Sequence, residues 1–183
     1  MPHIAIISSS IRQERKSHRV ALYFKKYIET KQLGSAEILD LKEYNFPLFE
    51  ERLKYLPSPS SAVLDFAHRI RSSDGIIIVT PEYNGGYPAS LKNVIDLLYD
   101  EWNHKPIAIS TVSDGPFGGT QVITSLQFSL WKMRALTIPS MFPVIRVQDA
   151  FDEDGNPKDP SASEKRAVNF LNELFLYIRA KTT

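Results

Sequence analysis

The chain has 183 residues, of which 43% are hydrophobic and 23% are charged, and its net charge is +1. These values predict one globular domain over residues 1–183 and exclude a disordered, collagen-like or coiled-coil chain and a strongly basic nucleic-acid-binding protein. The sequence contains no cysteine, which excludes disulfides, iron–sulfur clusters and thiolate catalysis, so any redox chemistry requires a bound cofactor.

The apolar runs of the sequence are too short to form a membrane-spanning helix or the core of a signal peptide. None approaches the ~20 residues of a membrane-spanning helix. The run at residues 4–7 has no basic region before it, and it is shorter than the core of a signal peptide. A cytoplasmic location is therefore the expectation.

Five apolar runs predict β-strands at residues 4–7, 36–41, 76–79, 107–112 and 144–147, the second and fifth being the weaker ones. The three strong runs are continuous and do not alternate with polar residues. This pattern is typical of strands in a parallel sheet that is covered by helices on both faces.

Apolar stripes at helical spacing lie between and after these runs. They predict five helices, with the following stripe residues: Val20, Phe24, Tyr27 and Ile28; Val63, Phe66, Ala67 and Ile70; Leu91, Val94, Ile95 and Leu98; Val122, Leu126, Leu130 and Met133; Ala167, Leu171, Leu174 and Ile178. Ser58 is predicted to cap the second helix, with Pro59 at its first position. Ser161 and Glu164 have the spacing of a capping box for the last.

The strict alternation of strands and helices predicts an α/β fold: a flavodoxin-like, doubly wound, five-stranded parallel sheet of order 2-1-3-4-5 with helices on both faces. Ligands of such sheets bind at the carboxyl ends of the strands, beside the point where the strand order reverses. The loops after residues 7, 79 and 112 are therefore the candidate functional segments.

The first loop, residues 8–17, has the chemistry of an anion site. It contains four serines with Arg12 and Arg15 before a helix, and residues 1–33 hold seven basic side chains against two acidic ones. Helix N-termini and arginine forks both favour phosphate. The alternative is an ordinary solvated basic surface.

The other two loops suit a planar ring. Asn84 and two glycines permit left-handed backbone after the third strand, and Tyr83 and Tyr87 can lie along a heterocycle. The third loop, residues 113–120, has three glycines whose amides can receive negative charge. An ordinary turn and a flexible connector are the alternatives, but together the three loops predict a mononucleotide with a heterocyclic ring.

Five segments resemble the NADPH-dependent FMN reductase family. Residues 9–15 match its GSxRxxR motif, residues 81–84 (PEYN) and 91–96 (LKNxxD) match its second motif, and the residues around Trp102 and the FDEDG sequence at 151–155 are also similar. Two departures are that Ser9 replaces the usual glycine and that the third loop lacks an arginine, which leaves NADPH or NADH open as the reductant.

The resemblance implies that FMN is bound by eleven residues from the three loops. Those for the phosphate are Ser10, Arg12, Arg15 and Ser17; those along the isoalloxazine are Pro81, Glu82, Tyr83, Asn84 and Gly85; those on its pyrimidine side are Ser113 and Gly115. Because the cofactor carries the chemistry, no catalytic side chain and no metal ligand is assigned.

The expected activity is transfer of hydride from NADPH or NADH to FMN and then of electrons to a quinone, flavin, azo compound or metal ion. A flavodoxin-type electron carrier and a non-enzymatic FMN-binding module are the alternatives. No Walker or GxSxG motif is present. Resemblance and the wide apolar stripes of the third and fourth predicted helices, including Trp131, favour a homo-oligomer, either a dimer or a tetramer.

Overall fold

A single five-stranded parallel sheet forms the centre of the molecule, and its strand order is β2-β1-β3-β4-β5, as predicted. The computed structural model describes residues 1–181, so residues 182 and 183, the end of the predicted domain, lie outside the described residues. The strands are β1 (His3–Ser8), β2 (Ser35–Asp40), β3 (Gly75–Pro81), β4 (Pro106–Val112) and β5 (Leu136–Met141).

Helices cover both faces of the sheet. They are α1 (His18–Thr30), α2 (Leu41–Tyr44), α3 (Ser61–Ser72), α4 (Ala89–Leu97), α5 (Val122–Lys132), α6 (Val147–Ala150) and α7 (Pro160–Lys181), with 3₁₀ turns at Leu53–Tyr55 and Asp100–Trp102. Helices α1 and α7 pack on one face, and α3, α4 and α5 pack on the other.

The central strands are buried on both sides, which explains their continuous apolar sequences. In β1, Ile4 and Ile6 pack towards α1 and α7, whereas Ala5 and Ile7 pack towards α3 and α4, and all four are fully buried. Each fully buried isoleucine contributes about 1.5–3 kcal/mol of transfer free energy. The sheet therefore holds the carboxyl ends of β1, β3 and β4 rigidly side by side.

The fifth strand was predicted at residues 144–147, and this prediction is wrong, because β5 is Leu136–Met141. Its ends are partly exposed, and Pro139 cannot donate to a ladder, so the sequence lacks the apolar signal of an inner strand. Val144 makes only an isolated bridge to Val112, and Val147 begins α6.

Two helix starts also differ from the predictions. The side chain of Ser60, not Ser58, caps α3 by accepting from the backbone N–H of Val63. Helix α7 begins at Pro160, and Asp159 accepts from the N–H of Ala162, so no capping box forms at Ser161. Proline at the first helical position, preceded by an Asp cap, is the pattern that decides this boundary.

Candidate functional site

A cleft lies at the carboxyl end of the sheet, where the loops after β1, β3 and β4 meet. Eight of the residues predicted for the site line it: Ser10, Arg12, Arg15, Ser17, Pro81, Glu82, Tyr83 and Ser113. Other lining residues, including Lys16, Asp114 and Val147, were not predicted from the sequence. The fold thus brings the three candidate loops together, as the strand order requires.

Ser9, where the resembling family has glycine, is accommodated by hydrogen bonds to β3. Its Oγ donates to the carbonyl oxygen of Val79 at 3.0 Å, and its own N–H donates to the same oxygen at 3.2 Å. Ser90, the second residue of α4, donates to the Ser9 carbonyl at 2.6 Å. The side chain is fully buried and satisfied, so this departure from the motif leaves the turn intact.

The N-terminus of α1 has an unsatisfied hydroxyl. Ser17 lines the cleft and is 4% exposed, and its Oγ has no hydrogen-bond partner within residues 1–181. A buried polar group without a partner costs about 1–3 kcal/mol, and the partial positive charge of the helix end favours an anion there. This hydroxyl is therefore suited to donate to a bound phosphate.

The first and second loops are joined by a hydrogen bond of 2.6 Å between Ser10 Oγ and the Tyr83 hydroxyl. The guanidinium of Arg12 lies 5.6 Å from the centroid of the Tyr83 ring, within cation–π range. Arg12 is exposed at the cleft and makes no ion pair among the described residues. Its positive charge remains available to a ligand.

Arg15 differs from Arg12, because its guanidinium is already engaged. It forms a two-pronged ion pair with Asp40 and donates to the carbonyl oxygen of Ser10 at 2.9 Å. Asp40 was not predicted as a site residue. The signal that could have found it is its place at the carboxyl end of β2, next to β1, because neighbouring parallel strands end at the same edge.

The second loop turns back at a left-handed tip. Asn84 has φ = 53° and Gly85 has φ = 81°, and the flanking residues Tyr83 and Gly86 exchange backbone hydrogen bonds of 2.8 and 3.1 Å. The left-handed backbone that the sequence permits at residues 84–86 therefore occurs at Asn84 and Gly85 but not at Gly86. The two residues are exposed and do not line the cleft, so they mark its outer margin.

The third loop is held by residues 144–148, a support that the sequence did not reveal. The carbonyl oxygens of residues 113–115 all accept hydrogen bonds. The donors are Val147 N at 3.1 Å, Gln148 Nε2 at 3.3 Å and, for the third carbonyl, Arg146 N at 3.1 Å and Ser113 Oγ at 2.9 Å. Gly115 belongs to this loop but does not line the cleft.

His18, the first residue of α1, contributes little positive charge to the site at neutral pH. Burial lowers the pKa of its imidazole below 6.5, and the neighbouring Arg15 lowers it further, whereas Asp40 and Glu43 oppose the change. Its Nδ1 shares a 3.0 Å hydrogen bond with Ser8 Oγ. Arg12 and the partly exposed Lys16, which lies 3.6 Å from Asp114, are the cleft cations without a buried partner among residues 1–181.

Comparison with known proteins decides the family. The sequence matches the profile of NADPH-dependent FMN reductases over residues 2–149. The chain belongs to this family. It is 35% identical over 137 residues to an NAD(P)H-dependent FMN reductase of Saccharomyces cerevisiae, covering 68% of this chain and 71% of that protein.

Further similarities agree with the family. The chain is 30% identical over 164 residues to a quinone reductase of Pseudomonas putida, covering 85% of this chain and 84% of that protein. The fold is also that of the flavoenzyme NAD(P)H:(acceptor) oxidoreductase from Paracoccus denitrificans, with a TM-score of 0.79, 23% identity and 98% of each chain covered.

In this FMN reductase family member, the LKNxxD motif acts outside the cleft. Asn93 accepts from the N–H of Phe49 at 2.6 Å and donates to the carbonyl of Pro47 at 2.8 Å, while Lys92 pairs with Asp96 one turn along α4. These contacts anchor the segment after β2 to α4.

Within residues 1–181, no helix combines the length and the apolar character that crossing a membrane requires.

Proposed function

We infer that this protein is an FMN-dependent oxidoreductase that takes hydride from NADPH or NADH and reduces a small-molecule acceptor such as a quinone or an azo compound. The observation that carries this function is the buried, unpartnered Ser17 hydroxyl at the start of α1, in one cleft with Arg12 and the PEYN loop. When bound, FMN supplies the redox chemistry, and the protein supplies binding and orientation.

The side chains divide into a phosphate end and a ring end. Ser10, Arg12 and Ser17 donate to the phosphate, and Arg15 braces the same loop. The second loop, with Pro81, Glu82, Tyr83, Asn84 and Gly85, borders the ring, and Ser113 and Gly115 border its pyrimidine side. Residues 146–148 support this assignment, because their hydrogen bonds to the carbonyls of residues 113–115 hold the loop with Ser113 at the cleft.

Arg12→Ala is expected to weaken FMN binding by about ten- to a hundredfold, because a charge-assisted hydrogen bond contributes about 1.5–3 kcal/mol. Riboflavin, which lacks the phosphate, should bind with nearly unchanged affinity. Fluorescence titration of the apoprotein with both flavins measures the difference. Arg71→Ala, at the amino end of the sheet, is the matched control. An equal loss for the two flavins would contradict the phosphate assignment.

Steady-state oxidation of NADPH and NADH, with a quinone as acceptor, distinguishes the oxidoreductase from an electron carrier. Turnover by the FMN-loaded protein supports the proposed function, and the ratio of kcat/KM for the two nicotinamides gives the preference that the sequence left open. Reduction of bound FMN only by a partner protein would support the flavodoxin-type carrier instead. The cytoplasmic location stays a prediction.

We further propose a homodimer that buries an aromatic pair on α5. Phe128 and Trp131 are 61% and 64% exposed, and their ring centroids are 5.7 Å apart. Light scattering at micromolar concentration is expected to give twice the monomer mass, and Trp131→Glu should shift the protein to a monomer. Leu176→Glu, at another exposed apolar position on α7, is the control. A monomeric wild type would refute the dimer, and four times the monomer mass would indicate a tetramer.

A further inference from the structure

We propose that Asp40 is a positioning residue for the phosphate-binding loop: it fixes Arg15, which holds the backbone of Ser10, so that Arg12 is the arginine that contacts the phosphate. The proposal rests on the FMN site inferred above. It assigns different tasks to the two arginines of the GSxRxxR-like motif and adds a residue from a strand outside the three candidate loops.

The position of Asp40 is determined by the sheet. It is the last residue of β2 and lies opposite Ser8, the last residue of β1, in the parallel register. It is 4% exposed, and its carboxylate accepts the N–H of Lys42 at 3.0 Å, which caps α2. The position of the carboxylate is therefore fixed by β2 and α2, independently of its contact with the loop after β1.

The carboxylate transmits this position to the cleft through Arg15. Both terminal nitrogens of Arg15 bond to Asp40, and Nη1 also donates to the Ser10 carbonyl at 2.9 Å. Ser10 in turn bonds through Oγ to the Tyr83 hydroxyl at 2.6 Å. Hydrogen bonds thus connect Asp40, at the end of β2, through Arg15 and Ser10 to Tyr83 in the loop after β3.

Charge and exposure separate the two arginines. The Arg15 side chain is 12% exposed, and a guanidinium buried to this degree needs a counter-charge, which Asp40 supplies. Arg12 is exposed, and no carboxylate pairs with it among residues 1–181. Three of the five N–H groups of Arg15 are engaged by Asp40 and by the Ser10 carbonyl, whereas no carboxylate of the described residues engages Arg12, so Arg12 has the more available guanidinium for a phosphate.

The test compares Asp40→Asn, Arg15→Gln and the double variant for their affinity towards FMN and riboflavin. Asp40 and Arg15 are proposed to act only by positioning the loop after β1. Each single variant should therefore reduce the preference for FMN over riboflavin by about tenfold or more. The double variant should show the same loss, not the sum of the two. It carries no unpaired buried charge, so it remains informative if a single variant does not fold.

Glu37→Gln is the matched control, because it also replaces a β2 carboxylate that pairs with an arginine, Arg69, but lies away from the cleft. It should keep the full preference for FMN.

His18 provides a second measurement, which a loss of stability alone would not change. Its Nδ1 lies 3.6 Å from Asp40, and the charge of Asp40 raises the pKa of His18. Asp40→Asn should therefore lower this pKa, which NMR titration measures. The other charged neighbours of His18, Arg15 and Glu43, are unchanged in this variant.

Four results would overturn the proposal. A stronger preference for FMN in Asp40→Asn would show that Arg15 is a phosphate ligand which Asp40 restrains. An unchanged preference, or additive losses in the double variant, would show that Asp40 does not position the loop. If wild-type protein binds FMN no better than riboflavin, the phosphate site itself fails, and this result is separate from the behaviour of the Asp40 variants.

Discussion

Gly155→Ala is expected to lower the free energy of unfolding by about 2–5 kcal/mol. Gly155 has φ = 79°, and an added Cβ would lie 2.6 Å from the carbonyl oxygen of Arg19 and 2.7 Å from Leu22 Cβ in α1. Left-handed backbone costs an alanine roughly 1–2 kcal/mol, and overpacking costs about 1–3 kcal/mol more. The FDEDG sequence is thus a packing element against α1.

Urea denaturation of the apoprotein measures this effect without interference from flavin binding. Gly115→Ala is the control, because its added Cβ would meet nothing within 4 Å and its φ is not in the left-handed region. A loss of less than about 0.5 kcal/mol in Gly155→Ala, similar to that of an ordinary surface substitution, would contradict this prediction. It would show that the turn at residues 151–157 can move away from α1 at little cost.

Gly85→Val should slow reduction of bound FMN by NADPH or NADH about a hundredfold, with a smaller loss of FMN affinity. Gly85 has φ = 81°, a conformation that a β-branched residue adopts poorly. A displaced loop at the ring end misplaces the reacting groups, and a shift of about 1 Å can cost a hundredfold in rate. The phosphate contacts remain, so FMN still binds, and stopped-flow single-turnover reduction measures the rate.

The space around Gly85 makes this experiment selective. An added Cβ would meet nothing within 4 Å and the position is exposed, so the main effect of valine is backbone strain, and stability of the apoprotein should fall only modestly. Gly85→Asn is the control, because asparagine tolerates left-handed backbone. Impairment by valine alone would implicate backbone geometry, and impairment by both would implicate side-chain bulk near the ring. Wild-type rates in Gly85→Val would make this loop an ordinary turn.

The sheet order and the location of the cleft could be predicted because their signals are local. A strand buried on both faces, such as residues 76–79, must be continuously apolar, and each helix must repeat its apolar residues every three or four positions. Alternation of the two patterns then implies the strand order, and the strand order implies which loops meet. The left-handed turn at Asn84 and Gly85 was predictable for the same reason, since it depends on residue type.

The edge strand and the partners of the cleft residues could not be obtained in this way. Strand β5 is half exposed and contains Pro139, so its sequence carries little local signal, whereas the more apolar residues 144–147 leave the sheet to support the third loop. The sequence also marked Arg12 and Arg15 as equivalent phosphate ligands. Only the folded chain shows that Arg15 is engaged by Asp40, 25 residues away, while Arg12 is not.

The difference between these two groups of predictions is physical. Backbone conformation and burial pattern depend on the few neighbouring residues that share a helix turn or a strand face, so the local sequence is sufficient for them. An ion pair or a buried unpartnered hydroxyl depends on which residues the sheet register brings within about 3 Å. That is why the sequence could predict Ser17 and Arg12 as phosphate-binding residues, whereas the unpartnered Ser17 hydroxyl, the unpaired charge of Arg12 and the contact of Asp40 with Arg15 emerged only with the tertiary structure of residues 1–181.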